Sequence, residues 1–143
     1  MTKINSHNYS EILKEHKLRN TETRVEVLKV FLKKNHALSH ADIEKKIGNV
    51  HDRVTIYRTL TSFLENGLIH KVLDNEGGIK YALCNHEHEQ HIHSENHIHF
   101  KCRRCLQTQC LDHFPIPQFS LPESYSIEAI NLLVEGVCEK CSV

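Results

Sequence analysis

Two Cys-x-x-Cys pairs, Cys102/Cys105 in CRRC and Cys138/Cys141 in CEKC, bracket the last part of this 143-residue chain. Each short loop aims two sulfurs at one point, so two loops supply the four thiolates of a closed tetrahedral Zn2+ site. Such a site is structural, because with four protein ligands no position is left for an activated water. Dithiol redox chemistry is the competing use of the motif, but no thioredoxin-like alternation of strands and helices surrounds the pairs. Just upstream, His97-x-His99 sets two imidazoles on one side of an extended strand, since side chains alternate with period two. His70 and Cys84 are chemically suited to complete a shell around the same ion, and Cys110 is a further candidate ligand. A thiolate and imidazole set favours Zn2+ over hard cations such as Mg2+. The ordinary alternative for each is a surface histidine or a buried free cysteine; for Cys110 it is a strand residue facing a core. His86, His88, His91 and His93 lie in a polar run that either binds metal loosely or solvates a hinge.

Elements must position these groups, and their pattern is legible. Tyr9, Ile12, Leu13 and Leu18 fall near helical spacing, and Val25, Leu28, Phe31 and Leu32 repeat it after Thr21 or Thr23, either of which suits a cap. Ser39 precedes a short apolar-periodic run through Ile43 and Ile47 that stops at Gly48. Asp52 or Arg53 opens a helix with Val54, Leu60, Phe63 and Leu64 expected inward, and Thr55, Tyr57 and Arg58 expected outward at nucleic acid. Residues 68–73 and 79–83 then flank Asp74-Asn75-Glu76-Gly77-Gly78 and read as a hairpin. Helices followed by a hairpin give the order of a winged helix-turn-helix, whose second helix enters the major groove. Further on, residues 97–102, 107–111 and 127–137 read as extended, while Pro115, Pro117 and Pro122 weigh against a long helix between them.

The expected fold class is therefore α+β. A winged-helix DNA-binding domain spans residues 1–84 and a His-rich hinge 85–96, and a small zinc-stapled α/β domain spans 97–143. Eighteen basic and eighteen acidic residues cancel overall, which argues against nonspecific polyanion binding by the whole chain. The first 84 residues carry 14 Lys/Arg and 10 Asp/Glu, and the remainder 4 and 8, so net charges of +4 and −4 permit DNA contact by the first part. Met1-Thr2-Lys3 opens a polar segment and no run reaches the length of a membrane span. A reducing, cytoplasmic setting is expected, with thiols serving metal rather than disulfides. Enzyme signatures are missing: His93-Ser94-Glu95 matches the first half of the zinc deaminase motif, but neither cysteine pair follows a proline.

Four segments together resemble the ferric uptake regulator family of metal-responsive bacterial repressors: LRNTETRVEVL at Leu18 to Leu28, VTIYRTLTSFLENGLI at Val54 to Ile69, HIHFKCRRC at His97 to Cys105 and GVCEKC at Gly136 to Cys141. The resemblance covers nearly the whole chain and implies a homodimer that binds a double-stranded operator, with the C-terminal part as the pairing module. Within the family the chain is most similar to the zinc uptake regulator branch, in which a cysteine at the end of the wing corresponds to Cys84. That branch implies a regulatory site drawn from His70, Cys84, His97 and His99. Cys110 stands where many relatives place an acidic ligand. The resemblance also implies DNA contacts from Tyr57 and Arg58, with Lys17 and Arg19 near phosphates. Two rival readings accompany this one: an iron- or peroxide-responsive regulator of the same family, and a zinc storage or delivery protein with no DNA role.

Overall fold

The computed structural model describes residues 8–34, 36–83, 98–111, 114–128 and 130–143. Helix α1 (Asn8–Glu15) buries Leu13 and ends in a turn where Lys17 takes a left-handed φ of 59° and the Leu18 N–H donates to Leu13 O at 2.8 Å. That bond satisfies a carbonyl the helix end would leave unpaired. Helix α2 (Glu22–Lys33) starts on Thr21, whose hydroxyl accepts the Arg24 N–H at 3.3 Å. Thr23, the other cap considered, instead sets its hydroxyl 3.0 Å from His51 Nδ1.

Ser39 and Asp42 form a reciprocal capping box at the start of α3 (His40–Ile47), with bonds of 3.1 and 3.0 Å. Gly48 ends that helix at φ 74°, a conformation that favours glycine. After a turn of 3-10 helix, Asp52 accepts the Thr55 N–H at 2.7 Å and starts α4 (Arg53–Glu65). Hydrogen bonding from Thr55 holds the Asp52 carboxyl below its ordinary range. Helices α3 and α4 are thus a helix-turn-helix with a chemically marked start to each half.

Helix α4 buries Ile56, Thr59, Leu60 and Phe63 against Leu28, Phe31 and Ile43, in one core that also takes in Leu68, Ile69 and Tyr81. Leu60 and Phe63 face inward as expected, and Leu64 packs half-buried against the same core. Val54 does not, being 57% exposed. The reason is helical phase: once Ile56 and Phe63 define the buried stripe at seven-residue spacing, Val54 is rotated about 200° from Ile56 and faces outward.

Strands β2 (Ile69–Val72) and β3 (Lys80–Leu83) form the expected hairpin, pairing His70 with Ala82 and Val72 with Lys80. Its turn uses Asn75, Gly77 and Gly78, all with positive φ. A short strand, β1 (Leu38–Ser39), adds to the other side of β3 and gives the order β1-β3-β2. Two residues are too few to show a period, which is why sequence pattern does not reveal it. The C-terminal sheet has the order β5-β4-β6, with β4 (Ile98–Cys102) antiparallel to β5 (Thr108–Leu111) and parallel to β6 (Leu132–Gly136). Among the described residues beyond Ile98 there is no helix, in keeping with the three prolines. Among the described residues, no helix is long and apolar enough to cross a membrane.

The two faces of α4 make a prediction. Phe63→Ala, at a fully buried side chain, is expected to lower the unfolding free energy by about 3–5 kcal/mol. Val54→Ala is expected to shift it by less than about 0.5 kcal/mol. Urea titration followed by circular dichroism measures both, and comparable losses would contradict the assigned phase.

Candidate metal centres

Strand pairing assembles the four cysteines. Cys102, the last residue of β4, lies opposite Gly136, the last residue of β6, and the Arg103 N–H donates to Gly136 O at 2.7 Å. The CEKC loop therefore leaves β6 beside the point where the CRRC loop leaves β4. Gly136 suits this approach, because a Cβ there would sit 3.2 Å from the Phe100 ring, a tight contact that the ring would have to relieve by shifting. The four Sγ atoms all lie within 4.8 Å of one another, and Cys105 Sγ is 3.8 Å from Cys138 Sγ. A tetrahedron with metal–sulfur bonds of about 2.3 Å has edges of about 3.8 Å, so the donor set fits a closed zinc site.

The electrostatics agree with that fit. Backbone N–H groups of Cys105 and Cys138 donate to Cys102 Sγ at 3.5 and 3.3 Å and pull its thiol down to about 6. Hydrogen bonding to Cys138, burial and the neighbouring sulfurs push Cys141 up to about 12. Four sulfurs this close cannot all ionise on their own, and a divalent cation supplies the charge that lets them do so.

A second cluster joins the wing to the C-terminal sheet. His70 comes from β2, His99 from β4 and Cys110 from β5, and their ligating atoms also lie within 4.8 Å of one another. His99 and Cys110 are cross-strand partners, so they share a face of the sheet. His70 reaches that face from the other direction: its Nε2 lies 3.5 Å from His99 Nε2 and 3.3 Å from Cys110 Sγ. The two rings stack with centroids 5.6 Å apart and planes 18° from parallel. Zinc bonded to two imidazoles and one thiolate would set these atoms about 3.3–3.6 Å apart. Both histidines are buried, at 7% and 4% exposure, and the three donors are borderline to soft. Of the ligands expected from sequence, His70, His99 and Cys110 are thus brought together. Cys84 and His97 lie outside the described residues, as do His86, His88, His91 and His93.

Thr55, Tyr57 and Arg58 are exposed along α4, and Lys17 and Arg19 are exposed near the end of α1. His40, Arg53, Val54, Tyr57 and Tyr81 line an open depression there. Arg53, whose guanidinium lies 3.4 Å from the Glu44 carboxylate, belongs to this surface and was not singled out from sequence. Neither were Asp74, Lys101 and Thr108, which meet between the wing and the C-terminal sheet. Burial alone would raise the Asp74 pKa, but bonds from Lys80, Thr108 and Lys101 outweigh it and hold the carboxyl at about 2.

A model of the ferric uptake regulator family matches residues 15–120. A ferric uptake regulation protein of Staphylococcus aureus is 32% identical over 96% of this chain and 98% of its own length. Its Staphylococcus epidermidis counterpart is 30% identical, with 96% of each chain covered. Among solved structures, a zinc uptake regulator complexed with zinc and DNA aligns with a TM-score of 0.65 at 20% identity, covering 95% of this chain and 91% of that one. The Helicobacter pylori ferric uptake regulator aligns at 0.57 and 18% identity, covering 96% and 91%; three functional metal-binding sites are described for that protein. At such identities these structural likenesses speak for the fold.

The four-cysteine cluster carries its own prediction. Wild-type protein is expected to retain about one equivalent of zinc through dialysis against a moderate chelator, and Cys138→Ser none. Elemental analysis reads the metal, and hydrogen exchange is expected to show the β4–β6 amides losing protection in the variant while α2 and α4 keep theirs. Equal zinc retention by both proteins would contradict the site.

Proposed function

The chain belongs to the ferric uptake regulator family, whose members are metal-responsive transcription regulators and not enzymes, and from that premise we propose that it is a homodimeric, zinc-responsive repressor of zinc-uptake genes. In this reading residues 1–84 read a double-stranded operator, residues 97–143 pair two copies, and the His-rich segment 85–96 is the hinge between them. The observation that carries it is the convergence of His70, His99 and Cys110 from three strands. An ion held by those three, with Cys84 or His97 completing the shell, ties the wing to the pairing module. It thereby sets the spacing of two recognition helices against two half-sites. The separate four-cysteine site holds zinc as a permanent staple.

On α4, Tyr57 and Arg58 are the proposed base-edge and phosphate readers, joined by Thr55, while Lys17 and Arg19 supply phosphate contacts. Their exposure supports the assignment, because none is needed for the core. Metal acts as a corepressor only by binding the operator-competent arrangement more tightly than the open one, so its effect is bounded by that difference.

Iron sensing is the second reading, supported by the two staphylococcal relatives, which are ferric uptake regulation proteins. The thiolate of Cys110 weighs against it, since sulfur favours zinc over ferrous iron at otherwise similar sites. Family membership weighs against zinc storage without a DNA role.

With the four-cysteine site kept loaded, added Zn2+ is expected to tighten operator binding by about 5- to 150-fold, the usual range for such coupling. Fluorescence anisotropy on duplexes from zinc-uptake promoters measures it. His70→Ala and Cys110→Ala should each abolish the response, whereas Tyr57→Ala with Arg58→Ala should abolish binding without changing metal content. Equal operator affinity with and without the exchangeable zinc would reject the switch, and a response to Fe2+ alone would select the second reading.

A further inference from the structure

A second row of side chains runs beside the candidate regulatory site. In the β4–β5 ladder His99 pairs with Cys110 and, two residues along on the same face, Lys101 pairs with Thr108. The wing meets both rows: His70 faces the first, and Asp74, four residues further on, faces the second. The Asp74 side chain is 1% exposed. Its Oδ2 accepts from Thr108 Oγ1 at 2.8 Å, from Lys101 Nζ at 3.2 Å and from Lys80 Nζ, and its Oδ1 accepts the Glu76 N–H at 3.3 Å. Lys101, 6% exposed, also pairs with Glu76 at 2.7 Å. The Ala37 N–H donates to Thr108 O at 2.7 Å, adding a backbone tie across the same seam.

The apolar packing at this seam is slight, since the buried cluster there consists of Ala37, Val72 and Ala82 with Cys110 against it. A desolvated carboxylate with four donors is demanding of geometry: separating the wing from the sheet strips Asp74 of Lys101 and Thr108, and Lys101 of the Asp74 and Glu76 carboxylates. A buried ion pair of this kind contributes little beyond an apolar contact when complete, yet is costly to break by halves. It selects one arrangement over others.

We propose that Asp74, Lys101 and Thr108 form a metal-independent latch that holds the wing where His70 meets His99 and Cys110, and so sets the zinc concentration at which the regulatory site fills. The inference rests on the reading of that site as the exchangeable one. None of the three latch residues is a ligand; they are positioning residues. Their effect follows from linkage: if the latch keeps a larger fraction of the metal-free protein in the binding-competent pose, apparent affinity rises in proportion to that fraction.

The test uses full-length protein with zinc retained at the four cysteines, comparing wild type with Lys101→Met, which leaves Asp74 its partners Lys80 and Thr108, and with Asp74→Asn. Chelator competition is expected to show exchangeable zinc bound about tenfold more weakly in each variant, with the absorption of Co2+ at that site unchanged in position and intensity. Hydrogen exchange with the exchangeable metal removed is expected to show the Ala37 amide losing protection while Leu28 and Phe63 keep theirs. Should a variant fail to fold, the milder Glu76→Gln, which removes one rim partner of Lys101, is expected to show a smaller shift of the same sign. Absence of any exchangeable zinc in the wild type would overturn the underlying reading of the site. Wild-type zinc binding matched by folded variants, or unchanged Ala37 protection, would overturn the latch alone.

Discussion

Alternation along one five-residue strand organises the C-terminal half of the molecule. In β4, Cys102 faces the loop that brings in Cys138 and Cys141, while His99 and Lys101, on the other face, meet the wing. A slip of one residue in pairing would exchange those faces and dissolve both clusters at once. The parallel pairing of Cys102 with Gly136 and the antiparallel pairing of His99 with Cys110 hold that register from both sides. Gly136 eases the first by leaving room for the Phe100 ring.

This arrangement answers a problem of size. The helical half closes a single core around Leu28, Phe31, Ile56, Leu60 and Phe63, enough apolar surface to hold four helices and a wing. Among the described residues, the C-terminal part has no comparable core of its own: Phe114, Phe119, Leu121, Tyr125 and Val134 remain exposed in the single chain. A sheet so thinly supported needs a cross-link, and four thiolates around one cation would provide it. The exposed apolar side chains suit the pairing of two copies that the proposed function requires.

Local chemistry was the part most legible from sequence. Cys-x-x-Cys, Ser39 before α3, and Asp52 before α4 each act within a few residues, so spacing alone declares them. The helix-then-hairpin order likewise foretold the winged arrangement. What depends on distant partners was harder. From sequence Val54 reads as a core residue because an apolar residue near a helix start fits either of two stripes, and only the burial of Ile56 decides between them. Cys110 could be named beside His70 as a candidate ligand, but the β4–β5 register that sets it opposite His99 and 3.3 Å from His70 depends on distant pairing. Asp74 and Lys101 gave no signal, since a charged turn residue and a lysine in a strand are usually solvated; their pairing exists only across the seam between wing and sheet.

The proposed switch depends on an ion seated where wing and sheet meet. The most direct measurement is an anomalous-difference map, collected at the zinc edge, from crystals of the zinc-loaded protein. Two peaks per chain are expected, one among Cys102, Cys105, Cys138 and Cys141 and one bonded to His70, His99 and Cys110. A map with density only at the four cysteines, and with His70 turned away from His99 in fully loaded protein, would contradict the account.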